Sequence, residues 1–406
     1  MTLRVVSAEP VRVADLADSG ESSALGHICG DVGSFLRETW STHARVFSQA
    51  GNGGSADLLS LEDVDRLLTT TSLRTPTFRL VKAGSQIPES AYTRSGRTGS
   101  KPVSGMADPA RIFEHFGDGA TIVLQGLHRY HEPVTRFCRD LELELGHPCQ
   151  ANAYITPPGA QGLDLHSDPH DVFVLQTFGE KRWTVHAAPG EPGREPIEAT
   201  LRAGDALYMP KGTPHAASAQ AVVSGHLTVG VHVTSWREVV ADAWRNAALD
   251  AALDEPVAAG WHRDLGAFAQ ELSARLASAA SALGELDTGQ VAIERERRFL
   301  SSRGQLMRGA LRARLALDAI DDTSVLRRRP GAICELRLDG DRLQVLLGDR
   351  RLEMPATLEP AMHVVAGKDP ITAVDLSGTI GEPRSRLVLV RRLVREGLLI
   401  PDHLPH

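Results

Sequence analysis

The segment 150–234 constrains the fold more than any other part of the sequence. It contains five short runs that read as β-strands, and turns with Pro or Gly separate them. The runs are NAYIT, DVFVLQT, KRWTVH, DALYMP and GHLTVGVHVT. Short strands at this spacing are typical of antiparallel sandwiches and barrels. We therefore predict an antiparallel β-sandwich or barrel in this part of the chain.

The last of these runs alternates between two kinds of residue. One face carries small or polar residues, His226, Thr228, Gly230 and His232. The other face carries the apolar residues Leu227, Val229, Val231 and Val233. Because successive side chains on a strand point to opposite faces, the pattern predicts a barrel with a polar interior that can hold a ligand. His226 and His232 fit a structural role in that interior as well as a role near a ligand.

A candidate metal site lies in the same segment. His166 and Asp168 are two residues apart on an extended stretch, so they point to one face, and His215 follows a later strand. Two imidazoles and one carboxylate form the facial triad of non-haem iron oxygenases, which leaves three coordination positions open. The His-x-Asp pattern recurs at His262 and Asp264, but that pair falls in a helix-rich region where such residues point apart.

The rest of the chain divides by composition. Residues 60–68 and 134–145 have helical periodicity, residues 120–126 read as a buried strand, and residues 94–106 read as a mobile surface loop. Residues 237–320 are rich in Ala, Leu, Arg and Glu, which predicts helices. Residues 323–406 combine a hairpin pattern with a helix that ends at Gly397, an arrangement that suggests a winged helix.

Charge, hydropathy and cysteine usage exclude several classes of protein. The chain has 44 basic and 51 acidic residues, a net charge of −7, which gives no support to general nucleic-acid binding. We find no apolar run long enough to span a membrane and no signal-peptide pattern at the amino terminus. The 4 cysteines are scattered without a CxxC motif. These features predict a cytoplasmic enzyme that does not enter membranes.

Two stretches resemble the JmjC-type cupins of the ribosomal oxygenase family. They are NAYITPPGAQGLDLHSDPHDVFVLQTFGEKRW and GDALYMPKGTPHAA, and the similarity extends to residues 108–142. The resemblance implies a mixed α+β chain with three domains. A double-stranded β-helix (cupin or jelly-roll) JmjC barrel would occupy residues 1–236. A helical dimerisation domain would follow at 237–322, and a winged-helix domain at 323–406.

The resemblance also assigns roles to single residues. It places the iron ligands at His166, Asp168 and His215, and the cation that pairs with the distal carboxylate of 2-oxoglutarate at Lys181. Asn152 matches a position close to the iron and the co-substrate. Residues that match the substrate side are Tyr154, Gln161 and Gly162. The chain departs from the family at Gly230, where a Ser or Thr is frequent, and Thr228, one inward step away, is the candidate to supply the hydroxyl for the co-substrate.

The implied activity is an Fe(II)- and 2-oxoglutarate-dependent hydroxylation that consumes O2. The implied substrate is a side chain of a ribosomal protein, with the enzyme acting as a homodimer through 237–322. Two alternatives stay open: the same chemistry on a small peptide or natural product, and a non-catalytic metal-binding cupin with a winged-helix interaction module. Because residues 324–406 carry only a small positive excess, we do not expect DNA binding.

Overall fold

The computed structural model describes residues 23–48, 54–160, 164–187, 195–219, 221–246 and 251–402. They fall into two compact units, which divide between Val233 and Thr234. Within the described residues no helix has both the length and the apolar character needed to cross a bilayer.

The first unit combines helices with antiparallel strands. Its helices are α1 (Ala24–Cys29), α2 (Val32–Ser34), α3 (Leu61–Thr70), α4 (Pro109–Gly117) and α5 (Glu132–Leu145). Its strands are β1 (Arg45–Phe47), β2 (Phe78–Lys82), β3 (Ser85–Gln86), β4 (Thr93–Thr98), β5 (Lys101–Ala107), β6 (Thr121–Leu124), β7 (Cys149–Thr156), β8 (Asp171–Phe178), β9 (Glu180–Val185), β10 (Ile197–Arg202), β11 (Ala206–Met209), β12 (His215–Ala219) and β13 (Ser224–Val231).

Eleven of these strands form two sheets. The larger sheet has the order β1-β11-β8-β13-β7-β6-β2-β3, and the smaller one has the order β10-β9-β12. Every pairing within them is antiparallel. Side chains of both sheets line one pocket, including Asn152 on β7, Thr228 on β13 and Lys181 on β9. This arrangement confirms the predicted antiparallel barrel.

The outer face of the larger sheet packs against the helices. Leu227, Val229 and Val231 on β13 are fully buried, in one cluster with Leu67 of α3 and Val134 of α5. The alternation within β13 therefore sorts its side chains as predicted, with apolar residues toward the helices and His226 and Thr228 toward the pocket. The prediction is wrong for His232, which lies beyond the end of the strand and is exposed. Burying one such aliphatic side chain contributes about 1.5–3 kcal/mol to the free energy of folding.

Local sequence signals set the helix that precedes β2. Ser60 caps α3, since its hydroxyl accepts from the backbone N–H of Asp63, while the Asp63 carboxylate accepts from the backbone N–H of Ser60. This reciprocal pair satisfies two N–H groups that the first turn of a helix leaves without partners. Val64, Leu67 and Leu68 then form the buried stripe. The helix predicted at residues 60–68 is confirmed and extends to Thr70.

The expectation for residues 94–106 is wrong. This stretch forms the β4–β5 hairpin, paired from Thr93↔Ala107 to Thr98↔Lys101 with an irregularity near Gly96. Its base is joined to the chain that leads into β2, because Ala107 N–H donates to Leu73 O and Thr75 N–H to Gly105 O. The many Gly and Ser residues suggested a loop, but they occupy a turn and a twisted, exposed ribbon instead.

The second unit is helical at first and mixed afterwards. Its helices are α6 (Trp236–Asn246), α7 (Leu265–Gly284), α8 (Thr288–Ser301), α9 (Ala310–Leu315), α10 (Glu359–Gly367) and α11 (Pro383–Arg395). Its strands are β14 (Leu326–Arg328), β15 (Glu335–Asp339), β16 (Arg342–Leu346), β17 (Arg351–Pro355) and β18 (Leu399–Pro401). The hairpin pattern expected after residue 333 is a three-stranded sheet, β15-β16-β17.

Candidate metal centre

Three potential metal ligands meet at one end of the pocket. One nitrogen of His166, one carboxylate oxygen of Asp168 and one nitrogen of His215 all lie within 4.8 Å of one another. Nε2 of His215 is 3.6 Å from Oδ2 of Asp168, and the two imidazole centroids are 4.4 Å apart. The structure thus brings together all three residues that the sequence singled out for a metal.

Backbone hydrogen bonds fix the two segments that carry these residues. His166 N–H donates to His215 O at 3.1 Å, and His215 N–H donates to His166 O at 2.8 Å. Gly212 N–H also donates to Asp168 O at 2.9 Å. These bonds fix the backbone from which the three side chains project.

The tautomers of both histidines suit metal binding. Nδ1–H of His166 donates to Asp164 O at 2.7 Å, and Nδ1–H of His215 donates to Thr213 O at 2.9 Å. A ring that donates from Nδ1 keeps the lone pair of Nε2 for a ligand bond. Burial lowers the pKa of His215, and the neighbouring imidazole of His166 adds to that effect, so His215 is held in the neutral form that binds metals.

A second acid in this region, Asp171, is occupied by structural contacts. Its carboxylate accepts from the hydroxyl of Tyr208, from Ser41 Oγ at 3.2 Å and from the backbone N–H of Lys211 at 2.9 Å. The bond to Lys211 anchors the turn that leads to His215. Asp171 therefore supports the site, and Asp168 is the carboxylate that faces it.

A buried cation stands deeper in the pocket. The side chain of Lys181 is 3% exposed, whereas its neighbour Arg182 on the opposite face of β9 is solvent-exposed. Nζ of Lys181 donates to Thr156 Oγ1 at 3.1 Å, and Thr121 Oγ1 donates to the same oxygen at 3.2 Å. Burial lowers the pKa of Lys181 to about 8. No carboxylate of the described residues pairs with this ammonium group.

Aromatic and imidazole rings line the same pocket as Lys181 and the metal ligands. His226 stacks on Tyr154 with a centroid distance of 5.1 Å, and the edge of Trp183 meets His226 at 5.3 Å. Burial holds the pKa of His226 well below its usual range, and the charges of Lys181 and His215 act in the same direction. His226 is thus a neutral wall residue, in keeping with the structural role considered for it.

Of the remaining predicted residues, some line the pocket and others do not. Asn152, Thr228 and Tyr154 all line the pocket, and Oδ1 of Asn152 accepts from the backbone N–H of Gly126 at 2.9 Å. His232 is exposed and lies outside the strand. Gln161 and Gly162 fall outside the described residues. His262 is exposed on a short turn.

The ring of His170 explains why a glycine occupies position 230. A β-carbon built at position 230 would lie 2.6 Å from the ring of His170, so any side chain there would collide with the imidazole. His170 lines the pocket and meets the ring of His232 at a centroid distance of 5.1 Å. The imidazole of His170 therefore occupies the space that a side chain at position 230 would take.

Sequence reasoning missed Thr121, Thr156 and His170. Thr156 had a usable signal, since Asn152, Tyr154 and Thr156 alternate along β7 and so share its inner face. Thr121 begins an apolar strand, and nothing in the surrounding sequence indicated that it lies in the pocket. His170 could not be predicted, because it lies outside the alternating strands and its contact with Gly230 joins two segments that are distant in the sequence.

Comparison with known proteins agrees with this geometry. A family model described as JmjC domain matches residues 127–239, the range that includes all three candidate ligands and Lys181. The chain contains a JmjC domain. The predicted relationship to the JmjC-type cupins of the ribosomal oxygenase family is confirmed.

Relatives of this JmjC domain include two curated proteins. Ribosomal oxygenase 1 of Gallus gallus is 30% identical over 239 residues, which cover 54% of this chain and 38% of that protein. The bifunctional lysine-specific demethylase and histidyl-hydroxylase NO66 of Dictyostelium discoideum is 31% identical over 169 residues, which cover 37% of this chain and 33% of that protein. The chain therefore spans less than half the length of either relative.

Solved structures show the same fold. YcfD, a ribosomal oxygenase from Escherichia coli solved with cobalt and succinic acid, aligns with a TM-score of 0.53 and 21% identity. The alignment covers 91% of this chain and 98% of that one. The same protein with cobalt and 2-oxoglutarate aligns with a TM-score of 0.52 and 20% identity, over 91% and 98% of the two chains. At this identity the likeness shows that the JmjC domain has the cupin fold.

Proposed function

We propose that this chain is an Fe(II)- and 2-oxoglutarate-dependent hydroxylase of an amino-acid side chain in a ribosomal protein. The observation that carries the proposal is the pairing of two features in one pocket: a facial triad at one end and a buried, uncompensated lysine deeper in. A buried cation without an anionic partner is costly, and a bound dicarboxylate would remove that cost. A pocket that bound only a metal ion would not need this buried lysine.

The donor set fits the metal and the co-substrate. His166, Asp168 and His215 would hold Fe(II) and leave three positions open. Lys181, with hydroxyl groups nearby, would bind the distal carboxylate of 2-oxoglutarate, while Asn152 and Thr228 would line its path to the metal. When bound, the iron with 2-oxoglutarate and O2 supplies the oxidation: the co-substrate becomes succinate and CO2, and one oxygen atom enters a C–H bond of the substrate.

The other residues of the pocket would shape and dry this site. Trp183, Val172 and Val174 present apolar surface, which excludes water from the reacting atoms. Tyr154 contacts Arg79, and burial raises the pKa of the Tyr154 phenol, so it stays a neutral donor. We assign Tyr154 to the substrate side, together with Gln161 and Gly162.

The second unit would support this activity. We propose a helical dimerisation domain at 237–322 and a winged-helix domain at 323–406, following the barrel at 1–236. Leu265, Leu272 and Leu276 on α7 are exposed and share one helical face, which a second copy of the chain would cover. The four cysteines are free thiols, which suits the cytoplasm.

The winged-helix domain would act as a scaffold rather than as a DNA reader. Two of its basic residues are engaged within the chain: Arg327 pairs with Asp402, and Arg391 donates to the carbonyls of Asp318 and Ile320 in the preceding helical region. Arginines held in this way have few N–H groups left for phosphates. We therefore include no DNA among the partners.

Two measurements test the proposed activity. The first is succinate formation from 2-oxoglutarate by wild type and by His166→Ala, with circular dichroism to confirm that the variant folds. The second is mass spectrometry of ribosomal proteins from cells that lack the gene, incubated with enzyme, Fe(II), 2-oxoglutarate and O2. We expect one ribosomal protein to gain the mass of one oxygen atom with wild type only.

The other outcomes separate the alternatives. Succinate formation without a modified ribosomal protein would redirect the search to small peptides and natural products. An absence of succinate from a folded, iron-loaded wild type would favour the non-catalytic cupin. Turnover by His166→Ala would contradict the assigned ligands.

A further inference from the structure

Segment 71–107 has a charge opposite to that of the whole chain. It contains six basic residues and one acidic residue, Glu89, hence 6 − 1 = +5 in a protein of net charge −7. The six are Arg74, Arg79, Lys82, Arg94, Arg97 and Lys101. Five of them are exposed and Arg79 is half-buried. A local field of this sign attracts anions.

Within the part of the chain that the structure describes, no carboxylate neutralises these cations. Among the described residues none of the six forms an ion pair with a carboxylate. The hydrogen bonds that they make go to neutral groups, such as Arg74 Nε to Ser104 O and Arg97 Nη2 to Ser100 O, both at 3.0 Å. Elsewhere in the chain arginines are paired, as Arg295 is with Asp242 and Arg386 with Asp322.

The cationic segment is continuous with the pocket. Arg79 and Val81 lie on the same face of β2, and Val81 lines the pocket. Arg79 Nε donates to Gln125 Oε1 at 2.7 Å, and its guanidinium group also contacts Tyr154. The backbone bonds between residues 73–75 and 105–107 join the base of the β4–β5 hairpin to the chain entering β2. An anion bound at this surface would therefore lie close to the substrate side chain that enters the pocket for hydroxylation.

The chemistry of the hairpin favours a phosphate backbone over an acidic protein segment. Between its cations stand the hydroxyls of Ser95, Thr98, Ser100 and Ser104 and three glycines, groups that commonly contact phosphates. No large hydrophobic side chain of 71–107, a fully described segment, is exposed. A protein partner normally needs apolar or aromatic anchors, which this surface does not provide.

We infer that the surface of segment 71–107 binds the phosphate backbone of RNA next to the site of hydroxylation. The enzyme would then recognise its protein substrate together with the RNA that the substrate contacts. Binding at this surface is electrostatic, without selection among bases, because the segment presents charges and hydroxyls but no exposed aromatic ring for stacking. The inference goes beyond the proposed hydroxylase activity and is tested without turnover.

The experiment measures binding of a fluorescein-labelled uridine 20-mer to the full-length protein by fluorescence anisotropy over a series of KCl concentrations. The variant Arg94→Gln/Arg97→Gln/Lys101→Gln removes three charges from the hairpin. The control Arg342→Gln/Arg384→Gln/Arg395→Gln removes three exposed charges from the second unit. All six residues are on the surface, so neither variant should disturb folding.

We expect the hairpin variant to bind the RNA at least about tenfold more weakly than wild type, with a slope of log K against log[KCl] that is smaller by about two units. Three lost phosphate contacts on a single strand account for that change. The control variant should bind like wild type. Both variants should form succinate at the same rate as wild type, so a failed activity and a failed RNA surface are distinguishable.

Three results would overturn the inference. One is no binding by wild type at low salt. Another is an equal loss of binding in the hairpin and control variants. The third is displacement of the RNA by a glutamate 20-mer at the same concentration as unlabelled RNA, which would assign the surface to an acidic protein segment.

Discussion

At the scale of single residues, the protonation of Lys181 should control co-substrate binding. With a pKa of about 8, the lysine of the free protein is charged below that pH and becomes neutral above it. The titratable ring facing it, His226, stays neutral throughout this range. A dicarboxylate needs the ammonium form, so its affinity should fall as pH rises through about 8.

We expect 2-oxoglutarate to bind about tenfold more weakly one pH unit above the pKa of Lys181 than well below it. Because Trp183 lines the pocket, the quenching of tryptophan fluorescence in the metal-loaded protein can report binding. The matched variant Lys181→Arg keeps its charge at high pH, so its affinity should not depend on pH in this range. The same fall in Lys181→Arg as in wild type would show that another group is responsible.

The residues of the site differ in how far they could be predicted from the sequence. The metal ligands could be predicted, because metal binding requires particular residue types at a particular spacing; they are His166, Asp168 and His215. Lys181 by itself reads as a solvated charge near a turn, and only family resemblance placed it in the pocket, where the structure buries it. Thr121 and His170 depend on which strands and loops meet across the pocket, and pairing between distant segments leaves no mark in local sequence.

At the scale of the element, the two faces of β13 contribute to different properties, one to folding stability and the other to co-substrate binding. Leu227 is fully buried against the helices, while its neighbour Thr228 faces the pocket. We expect Leu227→Ala to lower the free energy of unfolding by about 2–5 kcal/mol, because it leaves a cavity. Thr228→Ala should change it by less than about 1 kcal/mol and should instead weaken 2-oxoglutarate binding.

Urea denaturation of the two variants, combined with the fluorescence titration, tests this division. Equal losses of stability would mean that the two faces of β13 are not as distinct as its alternation indicates. A loss of co-substrate affinity confined to Leu227→Ala would contradict the placement of Thr228.

Elements with a clear period were predictable, and those with weak patterns were not. The helices at 60–68 and 134–145 and the alternating strand β13 were predictable from apolar spacing, whereas the helices of 237–320 were predicted from composition. The β4–β5 hairpin did not, because its exposed residues show no apolar alternation, and its pairing depends on contacts at its base with the chain before β2. The extra strand β17 was missed for a similar reason, since it follows a second tight turn inside what looked like one hairpin.

At the scale of the whole molecule, the exposed leucines of α7 predict a dimer. We expect the protein to elute at about twice its chain mass of 43.7 kDa in size-exclusion chromatography with light scattering. Leu272→Glu/Leu276→Glu should shift it to the monomer, since two buried charges at an interface are costly. The control Gln270→Glu/Ser281→Glu places the same charges on the opposite face of the helix and should remain dimeric.

A monomeric wild type would refute this assignment, and a dimer that survives Leu272→Glu/Leu276→Glu would move the interface away from α7. The sequence could predict a helical region here but not which of its faces stays uncovered, because α7 carries apolar residues over much of its surface. Exposure in the folded chain identifies the leucines that need a partner.

The contact between His170 and Gly230 couples the two positions. A β-carbon at position 230 would lie 2.6 Å from the ring of His170, so this imidazole must move aside or be replaced by a smaller side chain before a side chain fits at 230. A hydroxyl introduced at 230 alone would have to displace the ring from the pocket, whereas one introduced together with a small residue at 170 would not. Engineering a further hydroxyl into this part of the pocket is therefore a change at two positions rather than at one.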